Sequence, residues 1–295
     1  MTNPGWALYM GCVIPNRLPF MELAIRETLR HFDIPAKELD GFTCCPNPLT
    51  LPHLDHEAAL AIAARNLAVA EAQELPILTP CHGCFETLKG AATRLNDEKL
   101  RSRINGILEK IGYEYKGKAQ VKHFIQLLYE DIGTKAISEA VINPLANFDA
   151  ALHVGCHILR PSNLLKVDDA QRPVLLDQLV RAIGITPIRY QDEMDCCGYG
   201  TRQANPDLSL NILGNKISHM KQAGAQAIIV ICPACTLAFD LLQKTALRDS
   251  TDKETIPVFY YPELLCLALG TPQESLGFGL HRVKVDEILA KILPS

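Results

Sequence analysis

The hydrophobic pattern of the chain alternates short apolar runs with longer helical stretches. Four apolar runs end in a cysteine, at Cys12, Cys81, Cys156 and Cys232. Runs of this length predict buried strands, and a helical pattern follows each of them. Among the longer stretches, residues 55–73 and 206–223 predict helices. Because strands and helices alternate, we expect parallel α/β sheets, in which ligands bind beyond the carboxyl ends of the strands.

The pattern occurs twice. PILTPCHGCFETLKG at 76–90 and AIIVICPACTLAF at 227–239 both pass from an apolar run into a CxxC motif. Two more pairs of segments match: WALYMGC at 6–12 with AALHVGC at 150–156, and VKHFIQLLYEDIG at 121–133 with VFYYPELLCLALG at 258–270. The chain therefore predicts two similar α/β domains with parallel Rossmann-like sheets, residues 1–146 and 147–295.

Ten of the eleven cysteines form two sets of five. The sets are Cys12, Cys44, Cys45, Cys81 and Cys84, and Cys156, Cys196, Cys197, Cys232 and Cys235. Each set has one cysteine, an adjacent pair and a CxxC motif. Because such cysteines would lie at the carboxyl ends of the strands, we expect five thiols to converge in each half. The eleventh, Cys266, falls opposite Tyr129 in the repeat alignment, and we expect it to be a buried apolar residue of an amphipathic helix.

Bulk composition describes an ordinary globular protein and narrows the function classes. The 295 residues are 48% hydrophobic and 21% charged, with a formal charge of −4. This balance lacks the basic surface with which proteins neutralise nucleic acid phosphates. The chain has neither a recognisable secretory signal nor an apolar run long enough to cross a bilayer. We therefore expect a cytoplasmic protein, in which cysteines favour metal binding or redox catalysis over structural disulfides.

Three chemistries fit clustered thiols, and their number separates them. Structural zinc takes four ligands, so it leaves one thiol idle in each half and does not explain the adjacent pairs. A metal-free dithiol relay needs only CxxC. Iron–sulfur chemistry accommodates soft thiolates, and a cluster of several irons can employ five of them. The count favours iron–sulfur, with the other two left open.

The motifs resemble those of a known family. The matching segments are GCVIPNR at 11–17, CCPNP at 44–48, ARNLAVAEA at 64–72, KHFIQLLYEDIG at 122–133, GCHILRPS at 155–162, CCG at 196–198 and LHRVKVDEIL at 280–289. Together they resemble the cysteine-rich CCG domain and, over nearly the whole chain, the B-type subunit of heterodisulfide reductase, including related subunits of sulfur oxidisers.

The resemblance implies a cofactor and a reaction. Each set of five cysteines would bind one noncubane 4Fe-4S cluster, with all ten cysteines as ligands. A disulfide would be cleaved or formed between the two clusters. Beside the proposed ligands, His82 and His157 are candidate proton donors, and hydrogen bonding to a cluster is the alternative role for both.

Two departures from the family pattern concern the substrate. CCGYGTRQ at 196–203 interrupts a glycine run with Tyr199 and Thr201, and Thr236 stands where methanogenic relatives tend to have histidine. Glycines would allow a closer backbone approach. We therefore expect a differently shaped cavity, with the sulfur substrate and the direction of reaction left open.

Electrons must reach the clusters through other polypeptides, because the chain has no ferredoxin-type cysteine run and no GxGxxG fingerprint. The resemblance implies a ferredoxin-like iron–sulfur subunit of the C type and a flavoprotein of the A type as partners. Two other functions stay open: a subunit of a sulfur-oxidation complex, or an electron-transfer module without a substrate of its own.

Overall fold

The computed structural model describes residues 5–146 and 148–292. Within these residues the strands form two four-stranded sheets, ordered β2-β1-β3-β4 and β6-β5-β7-β8, and every pairing is parallel. The strands are β1 (Trp6–Leu8), β2 (Ala36–Lys37), β3 (Ile77–Thr79), β4 (Val121–His123), β5 (Asp149–His153), β6 (Thr186–Ile188), β7 (Ala227–Val230) and β8 (Val258–Tyr260). The same order in both halves confirms the predicted duplicated α/β fold.

Helices connect the strands. Those of the first half are α1 (Val13–Arg17), α2 (Pro19–His31), α3 (Leu51–Leu54), α4 (His56–Glu71), α5 (His82–Arg94), α6 (Glu98–Leu108), α7 (Phe124–Gln126) and α8 (Thr134–Ala140). Those of the second half are α9 (Ser162–Leu165), α10 (Leu175–Ala182), α11 (Pro206–Gln222), α12 (Pro233–Thr236), α13 (Gln243–Ala246), α14 (Tyr261–Ala268) and α15 (Asp286–Ile292). Two π-helices, Leu127–Ile132 and Leu237–Leu241, and four 3-10 helices, Glu109–Ile111, Tyr199–Thr201, Gln273–Ser275 and Phe278–Leu280, complete the described elements. No helix among the described residues is long and apolar enough to span a membrane.

Both long predicted helices are confirmed, and side chains define their starts. The Asp55 carboxylate accepts a hydrogen bond of 2.9 Å from the Ala58 amide at the beginning of α4. Asn205 accepts one of 3.0 Å from the Leu208 amide at the beginning of α11. These side chains satisfy amides that have no partner within the helix. The helices therefore begin where their capping residues stand.

The strands β3 and β7 are buried at every position because both faces of each sheet are covered. Their carboxyl ends lead into the two CxxC motifs, as predicted. β1, however, ends at Leu8, well before Cys12. A turn with Gly11 at a φ of +76° separates the strand from the cysteine.

The helix expected directly after Cys156 is absent. The amides of Leu159 and Arg160 donate to the Cys156 carbonyl, forming a turn. Pro161 follows and lacks the amide that would continue this turn into a helix, so α9 begins only at Ser162.

The two halves share a hydrophobic core. Helix α14 packs against α2, and the aromatic rings of Phe20 and His281 lie 4.2 Å apart between centroids. Cys266 on α14 is fully buried, as expected, but α14 is buried on every side and is not amphipathic. The helix is apolar all round because it lies between elements of both halves. The domain boundary after residue 146 stays a prediction.

Candidate functional site

The five thiols of the first half meet at one edge of the first sheet. Cys12 follows β1, the adjacent pair lies in the loop after β2, and the CxxC motif joins β3 to α5. Neighbouring thiols interact in the order Cys12, Cys44, Cys45, Cys84, Cys81. Contact with Cys44 and Cys84 lowers the pKa of Cys45 to about 4 and raises the pKa of both neighbours.

The second half repeats this arrangement. Its thiols interact in the order Cys156, Cys196, Cys197, Cys235, Cys232. Contact with Cys156 and Cys197 lowers the pKa of Cys196 to about 2. Contact with Cys196 in turn raises the pKa of Cys197 to about 12. The structure thus brings all ten predicted site cysteines together as two quintets, the N-terminal quintet and the C-terminal quintet.

A glycine lies directly before the first cysteine of each quintet. Gly11 has a φ of +76°, and a Cβ atom there would stand 2.9 Å from the Cys84 sulfur. Gly155 has a φ of +83°, and its Cβ would stand 2.9 Å from His82 Nδ1 and 3.6 Å from the Cys235 sulfur. Both positions need glycine for backbone conformation and for space.

The two quintets lie close to each other at the junction of the halves. Contact with Cys235 is the main cause that lowers the pKa of Cys232 in the second half. The imidazole of His82, a residue of the first half, lowers it further. The Tyr260 ring is buried, and thiols of both quintets, Cys232 and Cys81, add to the rise in its pKa that burial causes. Among the described residues, neither nitrogen of His82 has a hydrogen-bond partner, and the Tyr260 hydroxyl has none either. These buried atoms are available as hydrogen-bond partners for a group bound at the quintets.

Sequence reasoning missed Tyr260. The signal was present in the repeat alignment, which places Tyr260 opposite His123, each at the last position of its strand. The buried His123 ring lies 4.8 Å from the His82 ring between centroids. Burial is also the main cause that lowers the pKa of His123.

The other predicted proton donor, His157, joins the two halves. Its Nδ1 is paired with the Glu86 carboxylate on α5. Burial lowers the pKa of His157, but the hydrogen bond and charge of Glu86 outweigh burial and raise it. Both side chains line a cavity of about 410 Å³ whose walls are mostly apolar, with Pro48, Leu60 and Leu164 among them. The structure therefore brings His82 to the second quintet and His157 to a cavity between the halves.

The loops after the two cysteine pairs touch. A Cβ atom at Gly200 would stand 2.8 Å from Leu49 Cδ1. Leu49 and Gly200 share a second cavity, of about 430 Å³, with Tyr199. Thr236 is buried, and its hydroxyl donates to the Cys232 carbonyl at 2.9 Å. The departures from the family pattern thus lie at the site, and their effect on cavity shape stays a prediction.

A basic residue also holds the segment that precedes each cysteine pair. On α4, Arg65 donates to the Gly41 carbonyl at 2.5 Å and lies 4.7 Å from the Tyr113 ring centroid. Its repeat counterpart on α11, the buried Lys216, donates to the Asp192 carbonyl and lies 5.2 Å from the Tyr190 centroid. Each cation fixes the loop that leads into a cysteine pair.

The donor set fits an iron–sulfur group. Five convergent thiols in each half exceed the four that zinc takes, while soft thiolates are the usual ligands of iron and sulfide. The unpaired polar atoms around the quintets could form hydrogen bonds to the sulfurs of such a group.

Comparison with known proteins shows which family the chain belongs to. The model of the cysteine-rich domain called CCG matches residues 6–89 and 150–240. The B-type subunit of the ferredoxin/F(420)H(2)-dependent CoB-CoM heterodisulfide reductase of Methanosarcina acetivorans is 37% identical over 97% of this chain and 96% of its own. This chain belongs to the family of heterodisulfide reductase B-type subunits.

More distant relatives in this family comparison carry other names. The "8-methylmenaquinol:fumarate reductase membrane anchor subunit" of Wolinella succinogenes is 28% identical over 94% of the chain and 96% of its own. A crystal structure of a hypothetical protein from Helicobacter pylori aligns with a TM-score of 0.77 at 15% identity, covering 97% of this chain and 53% of that one. That likeness shows the fold alone.

Proposed function

We propose that the chain is the catalytic iron–sulfur subunit of a heterodisulfide reductase-like complex, in which a disulfide is cleaved or formed between two noncubane 4Fe-4S clusters. The observation that carries the proposal is the placement of two complete thiol quintets on either side of His82 and Tyr260. The heterodisulfide reductase names of the most similar relatives support it.

The residues divide into ligands and surrounding groups. The N-terminal quintet would hold one cluster and the C-terminal quintet the other, and Gly11 and Gly155 leave room for them. When bound, such clusters supply single electrons and irons that bind sulfur. The protein positions the sulfurs, and the buried His82 and Tyr260 keep water from the junction between the quintets, while Cys12, Cys44 and Cys196 are exposed.

Disulfide reduction consumes two electrons and two protons and gives two thiols. His157 and His82 are candidates for handling those protons, because each directly follows a proposed ligand in the sequence. The cavity that His157 and Glu86 line would admit one side of the substrate between the halves. Run in reverse, the same groups would accept protons as a disulfide forms.

Electron supply requires partners. The relatives are named as subunits of reductases, which supports a complex for this chain as well. We propose a ferredoxin-like iron–sulfur subunit and a flavoprotein subunit as the electron carriers, and a location in the cytoplasm.

A second function has its own support. The Wolinella succinogenes relative is named for menaquinol and fumarate rather than for a disulfide. In an electron-transfer module of this kind the two clusters would pass electrons without binding a sulfur substrate. A role in a sulfur-oxidation complex would instead use the same thiol chemistry on a different sulfur compound.

The test begins with protein prepared without oxygen. We expect about eight irons with matching sulfide per chain and no zinc. Anaerobic electron paramagnetic resonance (EPR) spectra should then change when disulfides or thiols of varied chain length and charge are added, and a disulfide should be cleaved with an artificial one-electron donor. One or two zincs without sulfide would refute the cluster assignment. Clusters that respond to no sulfur compound would favour the electron-transfer module.

A further inference from the structure

His153 is a buried histidine that the fold leaves without a partner. It ends β5, its side chain is 1% exposed, and neither ring nitrogen has a hydrogen-bond partner among the described residues. A buried polar group without a hydrogen-bond partner destabilises the folded protein, because it has lost its contact with water. A fold can keep such an unpaired group where a bound ligand supplies the missing hydrogen-bond partner.

The imidazole faces the C-terminal quintet. One His153 nitrogen and the sulfurs of Cys197 and Cys235 all lie within 4.8 Å of one another. The Phe239 ring packs edge-on against the imidazole at 5.0 Å between centroids. The ring is thus held by packing and presents a nitrogen to the thiols.

The corresponding position of the first half carries a different group. The repeat alignment of WALYMGC with AALHVGC places Tyr9 opposite His153. The Tyr9 hydroxyl donates to the Thr43 carbonyl, so its hydrogen is already used within the protein. The two quintets, alike in their thiols, therefore differ in the polar group beside them.

We propose that His153 donates a hydrogen bond to a sulfur of the iron–sulfur group held by the C-terminal quintet and thereby raises the reduction potential of that group. Reduction adds negative charge to the cluster and its sulfurs, and a donor stabilises the reduced form more than the oxidised one. This inference rests on the proposed function. His153 is assigned as a hydrogen-bond donor and not as a metal ligand, because the quintet already supplies five thiols as ligands.

The experiment uses the full chain prepared anaerobically in a Cys45→Ala background, so that the remaining EPR signal comes from the C-terminal group. His153→Phe should lower the midpoint potential by about 59 mV, which is a tenfold change for one electron. His153→Gln, which keeps a donor, should restore part of the shift. Tyr9→Phe, made in a Cys197→Ala background, is the matched control and should leave the N-terminal potential unchanged.

A second readout identifies the contact. With ¹⁵N-labelled histidine, pulsed EPR should detect a weak nitrogen coupling that is lost in His153→Phe, whereas a coupling from His82 would remain. An unchanged potential, or nitrogen couplings that are identical before and after the substitution, would overturn the inference while leaving the clusters in place. A strong coupling typical of a directly bound nitrogen would overturn it too. Absence of iron and sulfide from the unmodified protein would instead refute the proposed function.

Discussion

At the scale of single residues, Gly11 and Gly112 have nearly the same backbone φ angle but different surroundings. Comparing them distinguishes the effect of backbone strain from the effect of contact with a quintet. They have φ values of +76° and +77°, yet a Cβ at Gly112 would have no heavy atom within 4 Å. Any L-residue at either position costs about 1–2 kcal/mol because of the left-handed backbone. Only at Gly11 does the added carbon also meet a site sulfur.

Gly11→Ala should therefore lose iron that Gly112→Ala retains. We expect the iron content of Gly11→Ala to fall by about half, because only the N-terminal quintet is disturbed. Both variants should lose thermal stability, and Gly11→Ala should lose more because its added carbon also meets the Cys84 sulfur. Iron analysis and thermal unfolding measure both effects, and equal iron in the two proteins would show that the glycine is needed for backbone conformation alone.

The cysteines allow a similar comparison. Cys266 is buried between the halves, where its thiol lies 3.4 Å from the Thr28 hydroxyl. Cys266→Ser should leave the iron content unchanged, whereas Cys81→Ser should lose or deform the N-terminal cluster. Metal analysis and EPR of the two variants provide the check. If both lost iron equally, the repeat alignment would be wrong.

At the scale of elements, a buried ion pair fixes the helix that follows the Tyr260 strand. Glu263 on α14 accepts a hydrogen bond from the Tyr260 amide at 2.8 Å, and its other oxygen lies 2.8 Å from His281 Nε2. Burial lowers the pKa of His281, but the charge and hydrogen bond of Glu263 and the charge of Asp240 outweigh burial and raise it. The C-terminal segment is thereby tied to the start of α14.

This pair predicts a pH dependence. A raised pKa in the folded state means that the contribution of His281 to stability is complete below its unfolded pKa of about 6.5 and declines as the pH rises through the folded pKa. As the pH rises through that range, the free energy of unfolding should fall more for the unmodified protein than for His281→Asn. Chemical denaturation at several pH values measures the difference. The exposed His53→Asn should keep the unmodified slope, and parallel curves for all three proteins would contradict the prediction.

The elements also show how far the sequence alone could lead. Apolar runs predicted the sheets and the helices α4 and α11, because these depend on local periodicity. The convergence of each quintet then followed, because the carboxyl ends of parallel strands meet at one edge of a sheet. The contact of His82 with the second quintet was not predictable, since it depends on how two halves pack. Tyr260 and His153 were missed because one tyrosine or histidine at a strand end resembles an ordinary core residue until its unpaired atoms are seen.

At the scale of the whole molecule, the proposed reaction needs both quintets. If each sulfur of a disulfide is handled at one quintet, removing either should abolish cleavage rather than halve it. Cys45→Ala and Cys197→Ala should each be inactive even with an artificial one-electron donor that bypasses the partner subunits.

The comparison requires that the other cluster remain, which EPR of each variant verifies. Cys266→Ser serves as the control for a thiol outside the quintets and should retain activity. About half of the activity in either site variant would exclude a shared reaction space and indicate two independent redox centres.

The shared core has a consequence for the history of the chain. One cluster of buried side chains runs through the described residues from Trp6 to Ile292 and includes both α2 and α14. A half-length ancestor would have exposed this apolar surface to water. A self-associating ancestor would have buried it against a second copy of itself. Fusion of two such copies would free each half to change separately, which permits a difference such as that between Tyr9 and His153, whereas an assembly of identical copies would carry the same residue at both positions.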